Sequence, residues 1–467
     1  MPAPSDAWSS PFSWRYGSPE MRSLWGERQK HLLWRRVWVA LAEAQAELGL
    51  VREDQVADLR AHQDEVDLER AAVIEAELQH DLMAELSVYA SQCAVGGGVI
   101  HRGATSRDIE DNADAMRIAD ALDQILTRLG ELLTVATAQI EALADAPSMA
   151  FTHLQPAEPT TMGYRLAQHT QDLLQDLHDL RQMRREIRGK GFKGAVGTSA
   201  SYKTLLGGGD PAELERRVMS RLGLPAFTVA TQVAPRKQEL RVLNTLASAG
   251  QSLYKLAADL RLLQSPPFGE WAEPFGKKQV GSSAMPFKRN PIHAENIDSL
   301  TRHLAALPRV AWDNAAHCYL ERTLDDSANR RSILPEAFLI LDESLGRATR
   351  ILKGLRIDPR AAGALLDQYG PFAATERVMM ELALRGGDRQ ALHHTIREHS
   401  LAAWAALRDG GPNPVIERVC AEPEFLALAS KDELRGWLDA RGYVGDAPER
   451  ARRLAQEVRD ALEAAQC

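Results

Sequence analysis

The 467-residue sequence predicts an all-α protein: an elongated bundle of long helices with a smaller helical cap towards its C-terminal end. Three observations lead there. Leu122, Leu126, Leu129, Leu133, Ala136, Ile140 and Leu143 recur at alternating spacings of three and four, an apolar stripe along one helical face. Similar long patterns cover about 157–188, 235–264, 291–318 and 333–354. No alternating β-rich series and no strand–glycine-loop–helix unit is present, and only short strands are expected, near 192–202. At ~1.5 Å per residue, a helix of about thirty residues is ~45 Å long, which suits a bundle better than a globular α/β unit.

The elements follow in order. Residues 1–19 are rich in proline and serine, and Ser18-Pro19-Glu20 supplies an N-cap, an N1 proline and an early carboxylate. One helix is expected from there to Leu48 or Gly49. A second helical region covers about 53–92, interrupted before His80-Asp81. Residues 100–112, IHRGATSRDIEDN, place Gly103, Thr105 and Ser106 before a helix beginning near Asp108. The striped helix ends at Asp145-Ala146-Pro147, and AFTHLQP (150–156) is a turn opening the next long helix. Residues 189–202, GKGFKGAVGTSASY, read as a flexible glycine-rich connection and lack the GxxxxGK[ST] spacing of a phosphate loop. From about 356 the helices are expected to be shorter, with breaks at Asp358-Pro359, Gly386-Gly387, Gly410-Gly411-Pro412 and Gly442.

Composition narrows the function. Hydrophobic residues make up 45% of the chain, enough for a large core, and the formal net charge is −8. Lysines and arginines are interspersed with acids, which argues against a nucleic-acid backbone binder. Cys93, Cys318, Cys420 and Cys467 lie far apart with no metal-ligand spacing. No apolar run reaches membrane length, and the N-terminal stretch lacks the basic and apolar regions of a signal peptide. A cytoplasmic protein without membrane or nucleic-acid partners is expected.

The candidate chemistry lies at the joints between helices. Residues 278–296, KQVGSSAMPFKRNPIHAEN, mix helix breakers, two serines, the apolar Met285 and Phe287 and the adjacent cations Lys288 and Arg289. That mixture suits a mobile loop closing over an anion better than a linker or a core segment. Taken singly, the other joints have ordinary readings. His80-Asp81 reads as a solvated histidine beside a capping aspartate, Thr105-Ser106 as an N-cap, and Thr152-His153 as a hydrogen-bonded turn. YLERTLDDSANRR (319–331) reads either as a charged helical face or as arginines placed for a phosphate or dicarboxylate.

GSSAMPFKRNP (281–291) resembles the signature loop GSSxMPxKxNP of the fumarase/aspartase superfamily of lyases. IHRGATSRDIEDN and FTHLQPAEPTT resemble its first and second conserved regions. Within the superfamily, RYGSPEM, HDLMAEL, KGAVGTSAS, RKQELRVLN and ERTLDDSANRR resemble segments of the adenylosuccinate lyase family, over nearly the whole chain. The resemblance implies three helical domains, drawn at 1–107, 108–355 and 356–467, whose central bundles join in a homotetramer. It also implies active sites shared between subunits, no metal or organic cofactor, and purine nucleotide substrates. The implied reaction is elimination of fumarate from adenylosuccinate, giving AMP, and from the succinylocarboxamide precursor SAICAR, giving AICAR.

The same resemblance assigns roles. Ser282 is the base, with Lys288 and Asn290 holding the carboxylate. His153 is the general acid, paired with Glu295, and His80 is a second active-site histidine; the two histidines' roles are interchangeable at this level. Arg15, Tyr16, Arg322, Ser327 and Arg331 fall on the ribose-phosphate side. Asp81 stands beside His80 among the substrate-binding positions. Thr105, Ser106 and Thr152 suit the succinyl carboxylates, and Gln232 contacts substrate. Arg102, Asn296 and Ala234-Pro235 depart from the family pattern and bear on substrate preference. Arg102 is the best support for an alternative, a related C–N lyase releasing fumarate from another aspartate adduct.

Overall fold

The structure is a computed structural model that describes residues 8–464. Cys467 and the first seven residues therefore lie outside the described part. Helices α1 (Pro19–Leu24), α2 (Glu27–Glu47), α3 (Glu53–Ala61), α4 (Leu68–Leu78) and α5 (Asp81–Gln92) open the chain. Then come α6 (Ser106–Ala142), strands β1 (Pro147–Thr152) and β2 (Gln155–Thr161), α7 (Met162–Glu186), α8 (Ala200–Leu205), α9 (Pro211–Leu222) and α10 (Lys237–Gln264). Strand β3 (Trp271–Ala272) precedes α11 (Ile292–Ala316) and α12 (Ser327–Lys353). After β4 (Arg356–Ile357) follow α13 (Pro359–Leu384), α14 (Arg389–Arg408), three short helices α15 (Val415–Val419), α16 (Pro423–Leu426) and α17 (Lys431–Trp437), and α18 (Ala447–Glu463). The all-α expectation holds, and no helix is long and apolar enough to cross a membrane among the described residues.

The striped segment forms the longest helix, α6, with 37 residues. Leu122, Leu129, Leu133, Ala136 and Ile140 are fully buried, joined by Ile125 and Leu132 on the same face. Expectation and structure part at several places. The helix expected from Pro19 to Leu48 is broken at Trp25-Gly26: Gly26 takes extended φ/ψ as the N-cap of α2. Trp25 there stacks on Phe338 at 5.4 Å and lies under the Arg117 guanidinium at 4.6 Å. The helix expected from 157 begins only at Met162, because 147–161 form an antiparallel hairpin. No strand occupies 192–202; α8 starts at Ala200, and the nearest pairing is an isolated bridge between Gly189 and Ala226. The helix expected near 333 starts six residues earlier, at Ser327, and keeps Pro335 in its interior. The C-terminal helices are not uniformly short: α13 has 26 residues and α14 has 20.

The chain divides into two compact units. The first holds the residues up to Leu129, Asp176–Gln251 and Ser299–Gly346; the second holds Gly130–Gln175, Ser252–Asp298 and the chain from Arg347. In the first, α2 packs along α9, and Arg221 reaches Glu43 at 3.1 Å. In the second, Val378, Leu382, Leu392, Ile396, Phe425 and Leu434 form a core for α13 to α17. There the β1–β2 hairpin lies on α13.

Candidate active site

In the first unit, the N-terminal ends of α5, α6 and α12 bring candidate residues together. Asp81 opens α5, and its carboxylate accepts from Arg331 Nη2 at 2.9 Å, across 250 residues of sequence. Asp81, Ser327 and Arg331 line one cavity of about 100 Å³ with Lys30, Trp34, Arg107, Glu110 and Arg117. Burial works against ionised Asp81, but the Leu82 amide, Arg331 and Lys30 outweigh it and hold its carboxyl below the usual range. His80 Nδ1 stands 3.7 Å from Asp81.

The adjoining arginines separate by burial. Arg330 is almost fully buried, bonded to Glu239 at 2.6 Å and Asp114 at 3.0 Å, so it holds α12 against α10 and α6. Arg331 keeps an exposed guanidinium beside the cavity. Arg322 donates to Asp326 at 2.7 Å, and its Nη2 is buried without a protein partner. Gln232 is placed beside this segment through its amide, which donates to the Glu321 carbonyl at 3.3 Å.

Thr105 and Ser106 form the entry to α6. Asp108 fixes that turn: it accepts the Thr105 amide at 3.1 Å, Lys190 Nζ at 2.5 Å, Tyr202 Oη at 3.0 Å and the Gly194 amide at 3.1 Å. The glycine-rich 189–202 segment is thus folded onto α6 by a buried ion pair rather than left as a flexible connection. Arg15 and Tyr16 sit in the stretch leading to Gly17, whose amide donates to Glu343 at 3.0 Å. Gly17 has φ +81°, and a Cβ there would stand 2.5 Å from Leu339, so this approach to α12 requires glycine. Arg15 packs over Trp14 and Tyr16 and does not line the cavity.

In the second unit, Thr152 and His153 occupy the tip of the β1–β2 hairpin. Thr152 pairs with Gln155, leaving a two-residue turn of His153 and Leu154 at φ +55° and +57°. Both central residues are left-handed, as a type I′ hairpin turn demands, yet neither is the glycine or asparagine that takes this conformation easily. Each costs ~1–2 kcal/mol, strain of the kind that accumulates at functional positions. The tip is exposed.

The signature loop lies between β3 and α11. Ser282 Oγ accepts from the amides of Met285 at 3.1 Å and Ala284 at 3.3 Å. Asn290 Nδ2 donates to the Gly281 carbonyl at 2.8 Å, and Lys288 is exposed. Glu295 is half-exposed, 3.8 Å from Arg261. Among the described residues, Ser282, His153 and Glu295 are not hydrogen-bonded to one another within this one chain.

Sequence reasoning missed Glu110, Asp108, Asp111 and Arg236. Burial pushes Glu110 up to about 7, with Asp81, Asp111 and Asp114 adding to it, despite the Arg107 guanidinium at 2.9 Å. Asp111 behaves oppositely: burial is outweighed by Arg236, Arg107, Arg330 and the Ala234 amide, and its carboxyl is held far below the usual range. Arg236 bridges Asp111 at 3.0 Å and Asp326 at 2.7 Å. The available signal was acids spaced three and four apart from Asp108 onward, on the helix start that carries Thr105 and Ser106.

A lyase family model matches residues 13–304, and an adenylosuccinate lyase C-terminus model matches 371–454. The chain is 38% identical to adenylosuccinate lyase of Saccharomyces cerevisiae over 98% of its length and 96% of that protein's. Identity to adenylosuccinate lyase of Schistosoma mansoni is 37%, covering 91% of this chain and 90% of that one. Among solved structures, a fumarate lyase from a Mesorhizobium species superposes with TM-score 0.84 at 26% identity, covering 97% of this chain and all of that one. A 3-carboxy-cis,cis-muconate lactonizing enzyme from Pseudomonas putida gives TM-score 0.86 at 25% identity, covering 96% and 99%. With the signature loop intact and similarity running end to end, the chain belongs to the adenylosuccinate lyase family.

Proposed function

We propose that this protein eliminates fumarate from adenylosuccinate, leaving AMP, and from SAICAR, leaving AICAR. The observation that carries the reading is the unbroken GSSAMPFKRNP loop in a chain belonging to this family along its whole length. The proton to be removed sits next to a carboxylate and is weakly acidic, because its loss places a second negative charge on that group. A base and pre-placed donors are both needed. Ser282 takes the proton as an alkoxide. The Met285 and Ala284 amides already aimed at its Oγ favour the charged form, and the cation of Lys288, six residues on in the same loop, is assigned to the same task. The C–N bond then breaks, and His153, or His80 in its place, returns a proton to the departing amine.

Binding roles follow the same reading. Thr105, Ser106 and Thr152 take the succinyl carboxylates with Lys288 and Asn290. Arg322, Ser327 and Arg331 take the ribose-phosphate side with Asp81, Arg15, Tyr16 and Gln232. The unpartnered Nη2 of Arg322 and the exposed Arg331 guanidinium support anion binding here. Glu295 orients the histidine across a subunit boundary of a cytoplasmic homotetramer. No metal or organic cofactor enters the reading.

The alternative substrate rested on Arg102. Its Nη1 donates to the Leu50 carbonyl at 2.9 Å, securing the turn after α2, and it does not line the cavity. Nothing in its placement favours a different adduct. The test is direct: purified protein given adenylosuccinate or SAICAR should release fumarate in step with AMP or AICAR. A folded protein that releases fumarate from neither would overturn the proposal.

A further inference from the structure

The signature loop leaves the body of the second unit at Glu273 and returns at Arg289. One side chain holds both points. Gln264, the last residue of α10, accepts the Glu273 amide on Oε1 at 2.9 Å and donates from Nε2 to the Arg289 carbonyl at 3.0 Å. Glu273 continues the clamp, because its buried carboxylate accepts the His293 amide at 3.1 Å and the Ala294 amide at 3.1 Å, capping α11. The outgoing stem is also tied through β3, where Trp271 pairs with Ile357.

Further out, the loop is closed by its own bonds. Asn290 reaches the Gly281 carbonyl, and a Cβ on Gly281 would stand 2.1 Å from the Lys288 carbonyl, so the two strands of the loop touch there. The bonds around Ser282 are local, within 282–288. The position of the serine therefore depends on the base of the loop.

We propose that Gln264 is a positioning residue for the reaction: its single amide group ties the outgoing and returning stems of the signature loop together and so sets where Ser282 stands. The inference rests on the reading that this loop carries the base. An amide suits the task because it offers one acceptor and one donor to two backbone groups of opposite kind. A carboxylate at 264 would keep the bond to the Glu273 amide and repel the Arg289 carbonyl; an aliphatic side chain would keep neither bond.

The test compares Gln264→Leu, Gln264→Glu and Glu273→Gln in the intact protein. Misplacing a reacting group by ~1 Å costs up to about 100-fold, so Gln264→Leu should lower kcat by about 10- to 100-fold. KM should move by less than about threefold, because the loss falls on the reacting geometry rather than on uniform binding. Gln264→Glu should fall between Gln264→Leu and the parent. Glu273→Gln keeps an acceptor oxygen at the cap of α11 and should show a smaller loss in the same direction. Tryptic cleavage after Lys288 and Arg289 in native protein should be faster in Gln264→Leu than in the parent. Should Gln264→Leu fail to fold, Gln264→Glu carries the same comparison with the Arg289 bond alone removed. An unchanged kcat with an unchanged cleavage rate would overturn the proposal, as would a raised KM with kcat unchanged. A parent protein that releases no fumarate would instead sink the functional reading, while the cleavage rates would still report on the clamp.

Discussion

Two regions of this molecule treat their polar groups in opposite ways. Where α6, α10 and α12 meet in the first unit, charge is buried and matched inside the chain. Arg236 lies between Asp111 and Asp326, Arg330 between Glu239 and Asp114, and Asp326 also takes Arg322. In the second unit, the hairpin tip and the signature loop carry Thr152, His153, Ser282 and Lys288 at or near the surface, on turns whose bonds are local. Apart from the Nη2 of Arg322, the first region is finished by its own sequence. The second holds reactive groups on exposed edges and, in the proposed tetramer, is completed by another copy and by substrate.

Substitutions should separate the two regions. The largest effect expected is on turnover at the exposed edge. Ser282→Ala should lower fumarate release by about 10²- to 10⁴-fold. Stability should stay within about 0.5 kcal/mol of the parent, as for other surface changes, and calorimetry should still detect substrate binding. An active Ser282→Ala protein would remove the serine from its role.

The buried junction should respond the other way. Arg236→Met strands Asp111 and Asp326 without their shared cation and should cost about 3–5 kcal/mol in denaturant unfolding. A loss under about 1 kcal/mol would mean that the junction behaves like an exposed ion pair.

Glu110 offers a smaller, pH-dependent effect. Its folded pKa, about 7, lies above the ordinary 4.5, so folding favours the protonated form. Its contribution is fully present below pH 4.5 and is lost as pH rises through about 7. Glu110→Gln keeps an acceptor for Arg107 and removes the titration. The variant should therefore gain stability over the parent between those limits, by up to about 3 kcal/mol, with the gap constant above. Melting temperatures across that range check it, and a gap that does not grow with pH would contradict the burial argument.

The smallest effect lies at the hairpin tip. Leu154→Gly relieves one left-handed residue and should stabilise by about 0.5–1 kcal/mol. A clear loss on thermal melting would show that the turn is not strained.

The sequence revealed these regions unequally, for physical reasons. The stripe on α6 was legible because its burial repeats with the helix period, and Leu122, Leu129, Leu133, Ala136 and Ile140 are indeed fully buried. The β1–β2 hairpin was not. Its turn residues, His153 and Leu154, lack the usual left-handed formers, and prolines at 147, 156 and 159 argue against strands. The break at Gly26 was hidden among strong helix formers. At the site, single joints looked like ordinary caps, and the pairing of Asp81 with Arg331 spans too much sequence for local patterns to announce. Those residues were found through family resemblance. Glu110, Asp111 and Arg236 were passed over because charges on a helix usually face water, whereas here they face one another.

In the proposed assembly, the exposed edges are completed by another copy of the chain. Mixing two inactive variants, His153→Gln and Ser282→Ala, under conditions that let subunits exchange tests it most directly. Fumarate release from adenylosuccinate should return in the mixture, because some sites then receive an intact His153 from one chain and an intact Ser282 from another. A mixture that forms hybrid oligomers yet stays as inactive as its components would contradict the claim.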